Sequence, residues 1–165
     1  MFRHVLFRML LVAAPAMVVL GACAEKDDEV AIRKVIQEGA RLAEKHDTSG
    51  LLKLTSQDFR ASPGEVNRQE VKRYLLYAFM RYKEFAVLYP QPSVEIQGGD
   101  RAAASFPFLI VQKDQSLPDL RDLVKDPDRW LQQLGDKADL YRLKLELTRD
   151  GADWRVSRAH LEVLR

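Results

Sequence analysis

A chain of 165 residues with 30% charged and 47% hydrophobic side chains suffices for one domain that buries about two thirds of the surface its unfolded form exposes. Its 26 basic and 24 acidic residues are interspersed, with no long run of either sign. Neither nucleic acid nor anionic lipid is therefore indicated as the main partner, and a lone cysteine, Cys23, excludes an internal disulfide.

Residues 1–22 have the three parts of a secretory signal: a basic start with Arg3 and Arg8, an apolar stretch from Met9 to Leu20, and small Gly21 and Ala22 before Cys23. The apolar run of about 12 residues falls short of the roughly 20 that a helix needs to span a bilayer core. Leu20-Gly21-Ala22-Cys23 resembles the bacterial lipobox, in which the cysteine is acylated and becomes the first residue of the mature protein. The resemblance implies a lipoprotein signal peptide over 1–22, lipidation of Cys23 and a lipidated polar tether over 23–28. Secretion without lipidation and a retained anchor are the alternatives; the former would leave an unpaired thiol in an oxidising compartment. Loss of Arg3 and Arg8 leaves both signs equal at 24. The location implied is the bacterial cell envelope, with the membrane as partner through the lipid. Ala24, in place of the Asp that favours inner-membrane retention in enteric lipoproteins, leans towards the periplasmic face of the outer membrane.

Asp27 or Asp28 can cap a first amphipathic helix with Ile32, Val35, Ile36, Gly39 and Ala43 on its apolar face. Gly39 on that face suggests close approach of another element. His46-Asp47-Thr48-Ser49-Gly50 breaks the helix in a polar turn, where His46 is expected in solvent; Ser49 caps a short second helix with Leu51, Leu52 and Leu54. Phe59-Arg60-Ala61 reads as a small strand before a Pro63-Gly64 turn. Asn67 followed by Glu70 resembles a capping box opening a third helix over 68–85, with Val71, Tyr74, Leu75, Ala78, Tyr82 and Phe85 as its main face. Leu76, Tyr77 and Met80 lie on the reverse side and need a cover, either the later insertion or a partner.

From Val87 the pattern turns to strands: Ser93–Gln97, a Gly98-Gly99-Asp100 hairpin turn, and Arg101–Gln112, apolar on both faces and so central in its sheet. Pro107 cannot donate to a ladder, which calls for a bulge or a local edge. Residues 113–138 interrupt the sheet, with short helices expected after Ser116 and Asp126, the second carrying Trp130. Tyr141–Leu147 alternates cleanly, Asp150-Gly151 turns, and Trp154–Leu164 returns. Trp154, Val156, Arg158 and His160 then share a face, and Leu161, Val163 and Leu164 blur the alternation, suggesting a bulge.

Two short helices, a capped third, a hairpin and a closing strand pair with Asp150-Gly151-Ala152-Asp153-Trp154-Arg155-Val156 look like the nuclear-transport-factor-2-like fold, also called cystatin-like or SnoaL-like. That group includes ketosteroid isomerases, scytalone dehydratase and small polyketide cyclases. The resemblance implies an α+β cone over 29–165, with three N-terminal helices packed on a curved antiparallel sheet, a pocket between them, and 113–138 as a helical insertion. No motif here transfers a catalytic role residue by residue. By alternation, the candidate pocket wall is Tyr74 and Tyr82 from the third helix, Trp154, Arg158 and His160 from the last strand, and Phe106 and Phe108 at the apolar end. Such a pocket suits a small amphipathic or anionic ligand. The duller reading pairs Arg158 with Glu162 or a neighbouring strand's acid and leaves the tyrosines in the core.

His46 and His160 at this spacing do not make a metal site, no cofactor is indicated, and no nucleophile-elbow, phosphate-loop or dinucleotide pattern is present. Three functional readings follow. The first is a non-catalytic, membrane-tethered binding module for a small ligand or an envelope protein, with Leu76, Tyr77, Met80 and Trp130 as candidate partner surface. The second is an isomerase- or dehydratase-type pocket enzyme with His160 as general base and Tyr74 or Tyr82 stabilising negative charge. The third is a structural subunit that forms a homodimer through the open face of the sheet.

Overall fold

The computed structural model describes residues 19–112, 129 and 138–164. Among the described residues, three helices, α1 (Val19–Glu44), α2 (Thr48–Lys53) and α3 (Arg68–Arg81), pack on a seven-stranded sheet of β1 (Thr55–Ser62), β2 (Val66–Asn67), β3 (Phe85–Leu88), β4 (Ser93–Ile96), β5 (Arg101–Gln112), β6 (Ala138–Asp150) and β7 (Asp153–Val163). The strand order is β2-β1-β7-β6-β5-β3, with β4 also on β5. Every pair is antiparallel except β1 with β7. Among the described residues, no helix is long and apolar enough to cross a membrane.

The central strand is β5, as its two apolar faces predict. Ala102, Ala104 and Phe106 point to the helices and join Ile32, Ile36, Phe59, Leu145, Leu147, Trp154 and Val156 in the core; Leu109 and Val111, of opposite parity, are also buried. Two small alanines let α1 lie close to the sheet, so Ile32 is fully enclosed. Pro107 pairs with Arg142 of β6 in unbroken register. On its other side β4 begins, at Ser93, opposite Ser105 and β3 ends, at Leu88, opposite Leu109. The ring thus falls in a gap between two partner strands, the local edge it requires.

The capping box forms as expected: the Asn67 side chain accepts from Gln69 N and Glu70 N, and Glu70 accepts from Asn67 N at 2.9 Å. Several expectations are revised. Residues 23–28, the expected tether, fall within α1, and Asp28 does not cap it: its carboxylate pairs with Arg149 and accepts from Trp154 Nε1 at 3.3 Å, which holds the helix against the sheet. Asp47, not Ser49, caps α2, accepting from Gly50 N at 2.8 Å. His46 is not a solvent residue; held at φ 57, it stacks on Phe79 at 4.7 Å and Phe85 at 5.4 Å. A Cβ placed on Gly39 would lie 3.8 Å from Leu54 Cδ1, an ordinary contact, so no close approach demands glycine there. Helix α3 stops at Arg81 because Tyr82 turns extended, and Phe85 belongs to β3, opposite Gln112. The two expected insertion helices, including Trp130, lie outside the described residues.

The revision that matters most for function is in β7. Glu146 pairs with Arg158, but the next residue, Leu147, pairs with Val156. Ser157 is the extra residue of a β-bulge, its hydroxyl donating to Glu146 O at 3.1 Å. One inserted residue reverses the alternation, so Trp154 and Val156 face the helices while Arg158 and His160 face away. The expected bulge is real but lies ahead of Arg158 rather than at Leu161.

Candidate functional site

Between the helices and the inner face of the sheet lies a cavity of about 450 Å³. Helix α1 gives it small residues, Gly39, Ala40 and Ala43, which leave the space open; α3 contributes Val71, Leu75, Ala78 and Phe79. The far wall is an aromatic row across neighbouring strands. Tyr89 lies 5.4 Å from Phe106, Phe106 lies 6.4 Å from Phe108, and Phe108 stacks on Tyr141 at 5.3 Å. Phe106 and Phe108 are alternate residues of β5, opposite Leu143 and Tyr141 of β6, and Leu143 and Leu145 continue the apolar surface.

Polarity is concentrated at one corner. At the end of α3 the Tyr82 hydroxyl donates to Asp139 Oδ2, with Tyr141 alongside. Burial, then the bond to Asp139, raises the Tyr82 pKa well above its ordinary value of 10.0. Tyr89 is raised too, by burial and then by the charge of Glu44. Both phenols are therefore neutral at physiological pH. Because the folded state holds the Tyr82 proton more tightly than the unfolded state, its contribution to stability is complete below pH 10.0 and is lost as pH rises beyond it. Urea midpoints should fall as pH climbs above 10.0, and Tyr82→Phe should flatten that fall without abolishing it, since Tyr89 acts with the same sign.

The opposite face of the sheet carries an open groove of about 510 Å³. Here His160 Nδ1 lies 2.7 Å from Ser62 Oγ and its Nε2 lies 3.5 Å from Glu162. Arg158 meets Glu65 at 3.6 Å and Glu146 at 3.7 Å, and Lys144 meets Glu162 at 2.5 Å. Hydroxyl, imidazole and carboxylate stand in sequence, but Glu162 also serves Lys144 and Arg142, and its pKa is lowered first by the bond to Lys144. Most charges of this groove are thus engaged in ion pairs with one another.

The residues anticipated for one pocket therefore divide. Tyr82, Phe106 and Phe108 meet in the cavity. Trp154 is in the adjoining core, 3% exposed, and Tyr74 is 65% exposed. Arg158 and His160 line the outer groove, where Arg158 pairs with acids as the duller reading held. Leu76, Tyr77 and Met80 are exposed on the outer side of α3. Cys23 falls within α1. Sequence reasoning missed Asp139, Tyr89 and Tyr141. Asp139 shares parity with Tyr141 and Leu143, and running the β6 alternation two residues further back would have found it.

No protein-family model matches the sequence, and no curated protein matches it. Solved structures do resemble the fold. One is Bdellovibrio bacteriovorus Bd1075, at TM-score 0.59 and 12% identity over 81% of this chain, which spans only 40% of that protein's length. Another is the hexachlorocyclohexane dehydrochlorinase LinA-type3 of Novosphingobium barchaimii, at TM-score 0.63 and 11% identity, covering 87% of this chain and 91% of that one. A third is a nuclear-transport-factor-2-like protein with a cystatin-like fold from Novosphingobium aromaticivorans, at TM-score 0.63 and 18% identity, covering 90% of this chain and 92% of that one. The chain thus has the nuclear-transport-factor-2-like, cystatin-like α+β fold, its helices packed on a curved, open sheet that is antiparallel but for β1 with β7.

Proposed function

We propose that the protein is a lipid-anchored binding module of the bacterial envelope, attached through Cys23 on the periplasmic side of the outer membrane, and that its cavity takes up one lipophilic small molecule. The observation that carries this reading is the cavity: about 450 Å³ of space, lined almost wholly by apolar and aromatic side chains, with Tyr82, whose hydroxyl donates to Asp139, in its wall. That is the composition of a site in which shape and apolar burial supply affinity and one or two hydrogen bonds fix orientation. The lipobox-like Leu20-Gly21-Ala22-Cys23 supports the anchor. Native mass spectrometry of the protein released gently from its host's envelope tests both parts: one defined small molecule per chain and an acyl mass on the N-terminal cysteine are expected. Consistently bare cavities would sink the small-ligand reading.

A second reading is favoured by the Tyr82–Asp139 pair. A carboxylate and a neutral phenol beside an apolar cavity suit proton abstraction with stabilisation of the developing negative charge, chemistry of the isomerase or dehydratase kind. The base in this reading is Asp139 rather than His160, which faces the outer groove. Asp139→Asn separates the two: it should weaken ligand capture by no more than about tenfold, one hydrogen bond's worth, in a binding module and abolish conversion of the captured molecule in an enzyme.

A further inference from the structure

The outer side of α3 has no cover in the described structure. Tyr74 is 65% exposed, Leu76 48%, Tyr77 68% and Met80 72%. Their spacing makes them neighbours on one strip, Tyr74 to Tyr77 and Tyr77 to Met80 three apart, Leu76 to Met80 four apart. A strip of four large apolar side chains is more than the scattered single residues usual on a soluble surface. Its rim is cationic. Lys72, Arg73, Arg81 and Lys83 are all exposed around it, against Glu70, which is engaged in the capping box and lies 4.0 Å from Arg73, and Glu84. The whole chain is nearly neutral, so this local excess, made by α3 and the two residues after its C-cap, is not seen as a run in the sequence.

We infer that this face of α3 seats in the headgroup region of an anionic bilayer. Large apolar and aromatic side chains flanked by Lys and Arg are the composition of a helix lying in the membrane interface, where rings and thioether enter the acyl boundary and cations meet lipid phosphates. The topology adds a second point. Helix α1 carries Cys23 at the end where Asp28 bonds Trp154, and finishes at the other end, where Glu44 accepts from Val87 N at 2.8 Å. Helix α3 finishes at that second end, beside Phe85. Acyl chains and α3 thus hold the domain at separated points, so that it lies on its side. The inner face of the same helix, with Val71, Leu75, Ala78 and Phe79, is a wall of the cavity. Seating α3 brings that cavity within about one helix diameter, 10–12 Å, of the lipid. This inference deepens the binding-module reading and rests on it in one respect: it names the ligand class as a membrane-partitioned lipophile.

The test uses the full protein with its native lipid, reconstituted in vesicles of phosphatidylethanolamine and phosphatidylglycerol. Met80→Cys, exposed and so tolerant of change, carries a bimane label; Glu95→Cys, in the outer groove, is the control. With nitroxide on the lipid acyl chains, the label at position 80 should be blue-shifted and lose most of its emission, and the label at 95 should keep its own. Arg73→Glu with Arg81→Glu, or phosphatidylcholine in place of phosphatidylglycerol, should restore emission at 80. Equal emission at the two positions overturns the inference. So does a blue-shifted label that lipid nitroxide leaves bright, which would mean that protein, a second copy or another segment, covers the strip. The readout needs no ligand: a docked protein with an empty cavity would sink the ligand reading alone, and a ligand-loaded protein with position 80 in water would sink the docking alone. Protein found to lack the acyl chains is added to the same vesicles, where quenching at 80 must saturate with lipid for the inference to stand.

Discussion

Trp154→Ala is expected to lower the stability of the fold by about 3–5 kcal/mol, read from urea or guanidinium unfolding. The indole is 3% exposed in the core, and truncating it removes a large apolar surface from a site that is closed on every side. Its Nε1 donates to Asp28, and the Arg149 guanidinium lies 4.7 Å from the ring centroid. Arg149 in turn pairs with Asp28 and donates to Gly99 O at 3.0 Å. One side chain therefore joins α1, the β4–β5 turn and the β6–β7 hairpin, and a domain with about 5–15 kcal/mol in total would lose a large share of it. Trp154→Phe separates the contributions. It keeps much of the buried ring and loses the hydrogen bond, so it should cost clearly less than alanine. A loss below about 1 kcal/mol for Trp154→Ala would mean that the start of α1 is not packed against β7, and the attachment of α1 to the sheet described above would fall with it.

The parts of this fold that were legible in the sequence are those set by local chemistry. Asn67 and Glu70 satisfy one helix end by themselves; Asp150-Gly151 places a tight turn, with Gly151 at φ 64; and β5 announces its central position by being apolar at both parities. What was not legible depends on partners far along the chain. Tyr82 and Phe85 continue the spacing of α3, and only the bond from Tyr82 to Asp139 and the pairing of Phe85 with Gln112 take them out of the helix. Ser157 is unremarkable in sequence. Its effect comes from the register with Glu146 and Leu147, and a one-residue shift exchanges the two faces of everything beyond it. The candidate site divides in the same way. Phe106 and Phe108, on a strand that pairs with β6 in unbroken register, line the inner cavity, whereas Arg158 and His160, just beyond the bulge, line the groove on the other side of the sheet. Ala159 and Leu161 take their places on the cavity wall.

Ala78→Phe should weaken uptake of the cavity's ligand by at least about tenfold while leaving the fold intact. Ala78 is on the inner side of α3, across from the aromatic row, and a phenyl ring there would extend into space that is now open. Filling an apolar void gains dispersion contacts, so unfolding stability should stay within about 1 kcal/mol or rise, whereas overpacking a filled core would cost about 1–3 kcal/mol. The stability change thus tests the cavity itself. Affinity for the ligand should fall by at least about tenfold, the order by which a small steric mismatch is felt in an apolar pocket. Tyr82→Phe makes the complementary change: the cavity keeps its shape and loses the hydroxyl that now serves Asp139. A ligand held by shape alone would bind that variant as before, and one oriented by the polar corner would lose about tenfold, one hydrogen bond's worth. If Ala78→Phe instead destabilises by the overpacking amount and leaves uptake unchanged, the ligand is held elsewhere and the inner cavity is only a packing defect of the cone.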